Sequence, residues 1–150
     1  MASLAVFLLS NVWEELGWRG FALSVLTQRW SDLAASVWLG LVAFAWHLPL
    51  FFVVDSPMSR LPWILQLVFL IANGVLMTWV YRGTGESVLW VTVFHAMANA
   101  VALGMLEVGL YVRSYPIVVG LVAASAGLVA LRYGRRRFAS RREWSGAEGE

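Results

Sequence analysis

The 150-residue chain has no cysteine and no lysine, and only 13% of its residues are charged. The missing cysteine excludes disulfides, thiolate metal sites and a cysteine nucleophile. The missing lysine means that all eleven basic residues are arginine, which reads as genome composition rather than mechanism. The low charge excludes an ordinary soluble domain, where about 25% of residues are charged and about 45–50% are apolar. Here 60% are hydrophobic and the mean hydropathy is +0.71. A chain of this length cannot hide so much apolar surface from water, so lipid is its expected solvent. One domain is expected, all-α, because closed helices satisfy their backbone groups in lipid.

Four long apolar segments are present, at about 33–54, 61–81, 87–106 and 115–131. Each approaches the roughly 20 residues that a helix needs to cross a bilayer. The last is near the minimum. Short linkers rich in Gly, Ser, Pro and charge separate them ("DSPMSR", "YRGTGES"), so neighbouring spans should be antiparallel. The first thirteen residues before Glu14 cover only about 20 Å as helix, too little to span. They lack the basic start and cleavage site of a signal peptide.

The net charge of +2 is uneven: Arg132, Arg135, Arg136, Arg137, Arg141 and Arg142 cluster after the last apolar segment. A basic cluster can mark a nucleic-acid patch. Directly after a span it fits the positive-inside rule better, so no nucleic-acid partner is expected and the C-terminus is expected in the cytoplasm. The loops at 28–32 and 82–86 then fall inside, and those at 55–60 and 109–114 outside. The polar tail 135–150 is expected to be loose. Lipid is the first partner, and the oligomeric state is not readable.

Against this background a few polar residues stand out. Ionisable groups inside spans cost several kcal/mol, at least about 2.5–3.5 each, and usually face the bundle interior and mark function. The stretch "NVWEELGWRG" contains Glu14, Glu15 and Arg19, "VAFAWHLPLFF" contains His47, and "VTVFHAMANA" contains His95 and Asn99. Glu15 and Arg19 are four apart and can pair, as can His95 and Asn99 on their helix. Glu14 points about 100° from Glu15. His47 and His95 lie about 14 and about 9 residues from the inner ends of their spans, and both are expected near mid-membrane at similar depth. Three helices can thus gather a carboxylate, two imidazoles and an amide in one pocket. That set suits water activation by a carboxylate, with a histidine orienting the water and an imidazole and amide stabilising an oxyanion. It equally suits a divalent metal such as zinc held by Glu14, His47 and His95, which would acidify bound water.

"EELGWRG" resembles the E-E-x-x-x-R motif of the CPBP family of membrane proteins, the CAAX prenyl endoprotease type II and bacteriocin-immunity (Abi) group. "FAWHLPLFF" resembles its second motif and "HAMAN" its third, H-x-x-x-N. Three motifs in order within apolar segments are specific. The second departs slightly: F-x-x-x-H is usual, and here Phe44 stands three before His47. The resemblance implies an intramembrane endopeptidase, glutamate- or metal-dependent, acting on a membrane-associated peptide or protein in a prokaryotic plasma membrane. By position, Glu14 is the expected general base, His47 the water-binding histidine, and His95 with Asn99 the oxyanion stabilisers. Glu15, Arg19 and Phe44 support the site. Family members carry further helices before the first motif, so residues 1–134 read as a shortened peptidase core followed by the tail 135–150. Two other readings share these residues. One is a non-proteolytic immunity or scaffold protein of the same family. The other is a haem held by His47 and His95, which leaves Glu14, Arg19 and Asn99 without a role.

Overall fold

The computed structural model describes residues 2–138, with side chains from residue 6 onward. It is all-α among these residues. Helix α1 (Ala2–Glu15) runs without a break into a π-helical segment (Leu16–Leu23) and a short helix α2 (Ser24–Leu26), forming one rod. The others are α3 (Asp32–His47), α4 (Trp63–Gly83), α5 (Val88–Glu107) and α6 (Tyr111–Tyr133). Four stretches among the described residues are long and apolar enough to cross a membrane: Asp32–Phe51, Trp63–Gly83, Val88–Glu107 and Tyr111–Tyr133. The chain is an integral membrane protein. Large apolar side chains such as Leu131, Val101 and Leu121 remain exposed on the outside of the bundle, as lipid-facing positions require.

Two span boundaries differ from the sequence expectation. The first span stops being α-helical at His47 and continues as a 3-10 turn, Leu48–Phe51. Pro49 has no N–H to donate, which ends the helix there. The last span is longer than expected, because α6 begins at Tyr111 and carries Pro116 within its second turn.

Helix α4 is central, packing on α3, α5 and α6, while α1 packs along α5. The α3–α4 seam is built from small residues. A Cβ on Gly40 would lie 2.6 Å from the Ile71 Cα, and one on Gly74 would lie 3.1 Å from the Ser36 carbonyl oxygen. Ser36 Oγ donates to the Asp32 carbonyl at 2.6 Å and lies 2.8 Å from Thr78 Oγ1. Small and hydroxylated residues let membrane helices approach closely and bond across the seam.

One end of the bundle is closed by a polar clasp. Asp32 is buried and takes three hydrogen bonds of 3.0–3.3 Å from the Arg82 guanidinium. Arg82 also donates to Thr27 at 3.1 Å and pairs with Glu86, which in turn accepts from Arg137 at 3.1 Å. The segment after α6 is part of this clasp, contrary to the loose tail expected from residue 135 onward. The N–H groups of Asp32 and Leu33 donate to the carbonyls of Arg136 and Arg135, and the Phe138 N–H donates to Asp32 Oδ2 at 2.9 Å. The first N–H groups of a helix have no partner within it, and the chain after α6 supplies acceptors. Phe138 is fully buried against Ala72, Val75, Ala126 and Val129. Residues 139–150 of the expected tail lie outside the described residues.

Candidate functional site

The α1 rod and α5 run antiparallel, and their facing polar residues form rungs. Asn11, Glu15 and Arg19 recur every four residues along the rod, and His95 and Asn99 are four apart on α5. Spacings of three and four place side chains on one helix face. Glu15 is fully buried. Its Oε1 accepts from His95 Nδ1 at 2.8 Å and from Arg19 Nη1 at 3.2 Å, while its Oε2 lies 3.1 Å from the same Arg19 nitrogen. One turn away, Asn99 Nδ2 donates to Asn11 Oδ1 at 3.4 Å. The pairing of Glu15 with Arg19 expected from spacing is present. Asn11, only 2% exposed, was not singled out by the sequence reading. Its position four before Glu15, mirroring Asn99 four after His95, is the signal that could have found it.

Four buried side-chain polar atoms lack a hydrogen-bond partner among the described residues: Asn11 Nδ2, Glu15 Oε2, Arg19 Nε and Thr92 Oγ1. All four belong to the rod or to α5. Buried polar groups are usually bonded, so this concentration marks the seam as a site with unused hydrogen-bonding capacity.

Glu14 faces about 100° around the rod from Glu15. It is exposed and opens on a surface groove of about 430 Å³, lined also by Trp13, Gly17, Trp18, Ala22 and Trp46, of which Trp13 and Trp46 are themselves exposed. The last belongs to α3, so the cavity lies between the rod and the helix that carries His47. Directly after Glu15 the rod becomes π-helical. Such widened turns are rare and frequent at functional sites.

His47 is the last residue of α3 and half-buried; its Nδ1 lies 2.7 Å from the Ala43 carbonyl. A carbonyl only accepts, so Nδ1 carries the hydrogen and the neutral ring keeps Nε2 as an acceptor. Phe44 stacks edge-on with Phe51 at 6.2 Å between centroids, folding the 3-10 turn back over α3. Counted from the Asp32 and Val88 ends of their helices, His47 lies about 22 Å along α3 and His95 about 10 Å along α5, at 1.5 Å per residue. The structure joins Glu15, Arg19 and His95, adds the Asn11–Asn99 rung beside them, and opens Glu14 on a separate cavity that Trp46, but not His47, helps to line.

Among the described residues no three His, Asp or Glu side chains converge closely enough to hold an ion. His95 is engaged with Glu15 and not with Glu14, so the set Glu14, His47 and His95 does not fit a zinc ion as placed.

The comparisons with known proteins agree with the motifs. Residues 1–101 match the family described as Rce1-like, type II CAAX prenyl endopeptidase. The CAAX prenyl protease 2 of Methanococcus maripaludis is 33% identical over 102 residues, covering 64% of this chain and 38% of that protein. The chain thus spans well under half the length of the relative it matches. No solved structure matches. The matched region contains every motif residue from Glu14 to Asn99, and on that ground the chain belongs to the Rce1-like family of type II CAAX prenyl endopeptidases.

Proposed function

We propose that the chain hydrolyses a peptide bond of a membrane-associated substrate, with Glu14 as the general base. The observation that carries this reading is the divergence of the two glutamates. Glu15 is buried and bonded to Arg19 and His95, whereas Glu14 opens on the cavity. A base must reach both water and substrate, and only Glu14 has that access.

In this reading Glu14 takes a proton from a water held by His47, whose Nε2 is the accepting nitrogen. The water oxygen attacks the scissile carbonyl carbon, and Glu14 later delivers the proton to the leaving amine. His95 and Asn99 carry over from the third motif as oxyanion stabilisers, with the scissile carbonyl reaching from the Glu14 cavity around the rod to the α5 seam. Glu15 accepts the hydrogen bond from His95 Nδ1 and fixes the ring, so that Nε2 is the nitrogen left to face the substrate. Asn11 steadies the Asn99 amide through its Oδ1.

The related archaeal protein is named a CAAX prenyl protease, so a prenylated CAAX peptide is the first substrate to try. The expected setting is a prokaryotic plasma membrane with the arginine-rich end in the cytoplasm, following the positive-inside rule. A reporter fused after Glu150 should then be active only in its cytoplasmic form.

The test is cleavage of a farnesylated CAAX peptide by the protein in liposomes. Glu14→Gln should abolish turnover while the melting temperature stays at the parent value. Full activity in Glu14→Gln overturns the mechanism. No cleavage by the parent, together with loss of a partner-binding phenotype in Glu14→Gln, favours the scaffold reading instead. Inhibition by a chelator, reversed by added zinc, would require the ligands to regroup around an ion and would replace the carboxylate-only mechanism.

A further inference from the structure

We propose that Gly17 sets the size of the substrate residue flanking the scissile bond, by keeping one wall of the Glu14 cavity open. This rests on Glu14 being the base of a peptidase.

Gly17 follows Glu14 by three residues and lines the same cavity. Nothing in the backbone demands a glycine there. It is not among the residues with positive φ, and the π-helical conformation is also adopted by Leu16, Trp18, Arg19, Phe21, Ala22 and Leu23. Nothing in the packing demands it either. A Cβ built on Gly17 meets no atom within 4 Å, whereas one on Gly40 would collide with the Ile71 backbone at 2.6 Å and one on Gly20 would touch Val88 at 3.6 Å. Glycine is less favourable than alanine inside a helix. A side chain at position 17 would therefore fit the fold and help the helix, and would intrude on the cavity beside Glu14. Other helical glycines are equally open, including Gly104 and Gly120, but they do not line this cavity.

The chemistry of the walls names the class of group that enters. Trp13, Trp18, Trp46 and Ala22 are the other lining residues, and Glu14 is the one charge among them. An uncharged, bulky apolar or aromatic side chain fits such walls. An acidic one would meet the Glu14 carboxylate. With the scissile carbonyl at Glu14, the group reaching Gly17 belongs to a residue next to the bond.

The absence of cysteine supplies the test. Gly17→Cys gives the protein a single thiol, which methyl and benzyl methanethiosulfonate extend by steps that a reductant reverses. The substrates are farnesylated CAAX peptides differing only in alanine, leucine or tryptophan beside the scissile bond. One missing or blocked methylene site in an apolar pocket changes selectivity by about 10–200-fold. The ratio of kcat/KM for the tryptophan peptide over the alanine peptide should fall at least about tenfold in Gly17→Leu and in benzyl-modified Gly17→Cys. It should fall less after methyl modification and recover with reductant. If Gly17→Leu does not accumulate, Gly17→Ala carries the test, and it should melt at or above the parent.

A second readout needs no turnover. In Gly17→Cys combined with Glu14→Gln, the tryptophan peptide should slow thiol modification by methyl methanethiosulfonate more than the alanine peptide does. A parent that cleaves nothing, with this size-dependent protection intact, overturns the peptidase reading and keeps Gly17 as the size-setting wall. Cleavage with unchanged selectivity and equal protection by both peptides overturns the inference and keeps the peptidase reading.

Discussion

His95 donates its Nδ1 hydrogen to Glu15 Oε1 at 2.8 Å, across 80 positions of sequence. The bond joins α5 to the first rod at the point where that rod turns π-helical. Glu15 is fully buried and shared with Arg19, so one carboxylate holds two cationic or proton-donating partners. This fixes the ring orientation of His95 and turns the other glutamate, Glu14, toward the cavity.

The Glu15–Arg19 pair should behave as a buried ion pair, in which losing one partner strands the other. Removing one side of such a pair costs about 3–5 kcal/mol. Arg19→Met keeps the apolar stem and removes the charge, so it should lower the melting temperature in detergent substantially. Arg19→Lys keeps charge without the planar fork and should be intermediate. Glu15→Gln combined with Arg19→Met should lose less than the sum of the two single changes. An Arg19→Met protein that melts with the parent would show that the pair is not structural.

Much of this site was legible in the sequence because polar residues in apolar helices are few and their spacing is informative. Glu15 with Arg19, and His95 with Asn99, followed from four-residue spacing alone. What spacing could not supply was the partner of His95. Glu14 and Glu15 are adjacent, and whichever faces α5 depends on how the rod is rotated, which a local π-helical turn also changes. The 135–138 clasp was illegible because an arginine run reads as solvated tail. Its cause lies in unpaired N–H groups at the start of α3, a hundred residues away, and in the single apolar Phe138 that follows the arginines.

That clasp makes a prediction about the C-terminal segment. Phe138→Ala removes a fully buried ring, a change that typically costs about 3–5 kcal/mol. If the loss is local, trypsin should cut after Arg135, Arg136 and Arg137 faster than in the parent, with the rest of the bundle intact. Asp32→Asn should act in the same direction, because Asp32 accepts from both Arg82 and the Phe138 N–H. Unchanged cleavage rates in both variants would mean that residues 135–138 are not held by these contacts.

The α3–α4 seam should be intolerant of a single methyl group. Gly40→Ala places a Cβ 2.6 Å from the Ile71 Cα, which only separation of the two helices can relieve. Overpacking of this kind costs about 1–3 kcal/mol. Gly120→Ala, where a Cβ meets nothing within 4 Å, should be neutral or slightly stabilising. Equal melting temperatures for the two variants would contradict the close approach at Gly40.

The two adjacent glutamates should separate activity from stability. Glu14→Gln is nearly isosteric, and Glu14 has no hydrogen-bond partner among the described residues whose loss would weaken the fold. It should keep the parent melting temperature and lose cleavage of a farnesylated CAAX peptide. Glu15→Gln leaves Arg19 buried without its counter-charge and weakens the bond to His95. It should lower the melting temperature as well as the rate. Asn99→Ala removes one oxyanion donor, a change that typically costs about 10²–10³ in rate, so measurable activity should remain where Glu14→Gln has none. Asn11→Leu, which removes the acceptor for Asn99 Nδ2, should reduce the rate less than Asn99→Ala does. The discriminating measurement is the pair of curves, melting and turnover, for each variant. If Glu15→Gln loses only activity and Glu14→Gln loses only stability, the roles of the two carboxylates are reversed and the base is the residue bonded to His95.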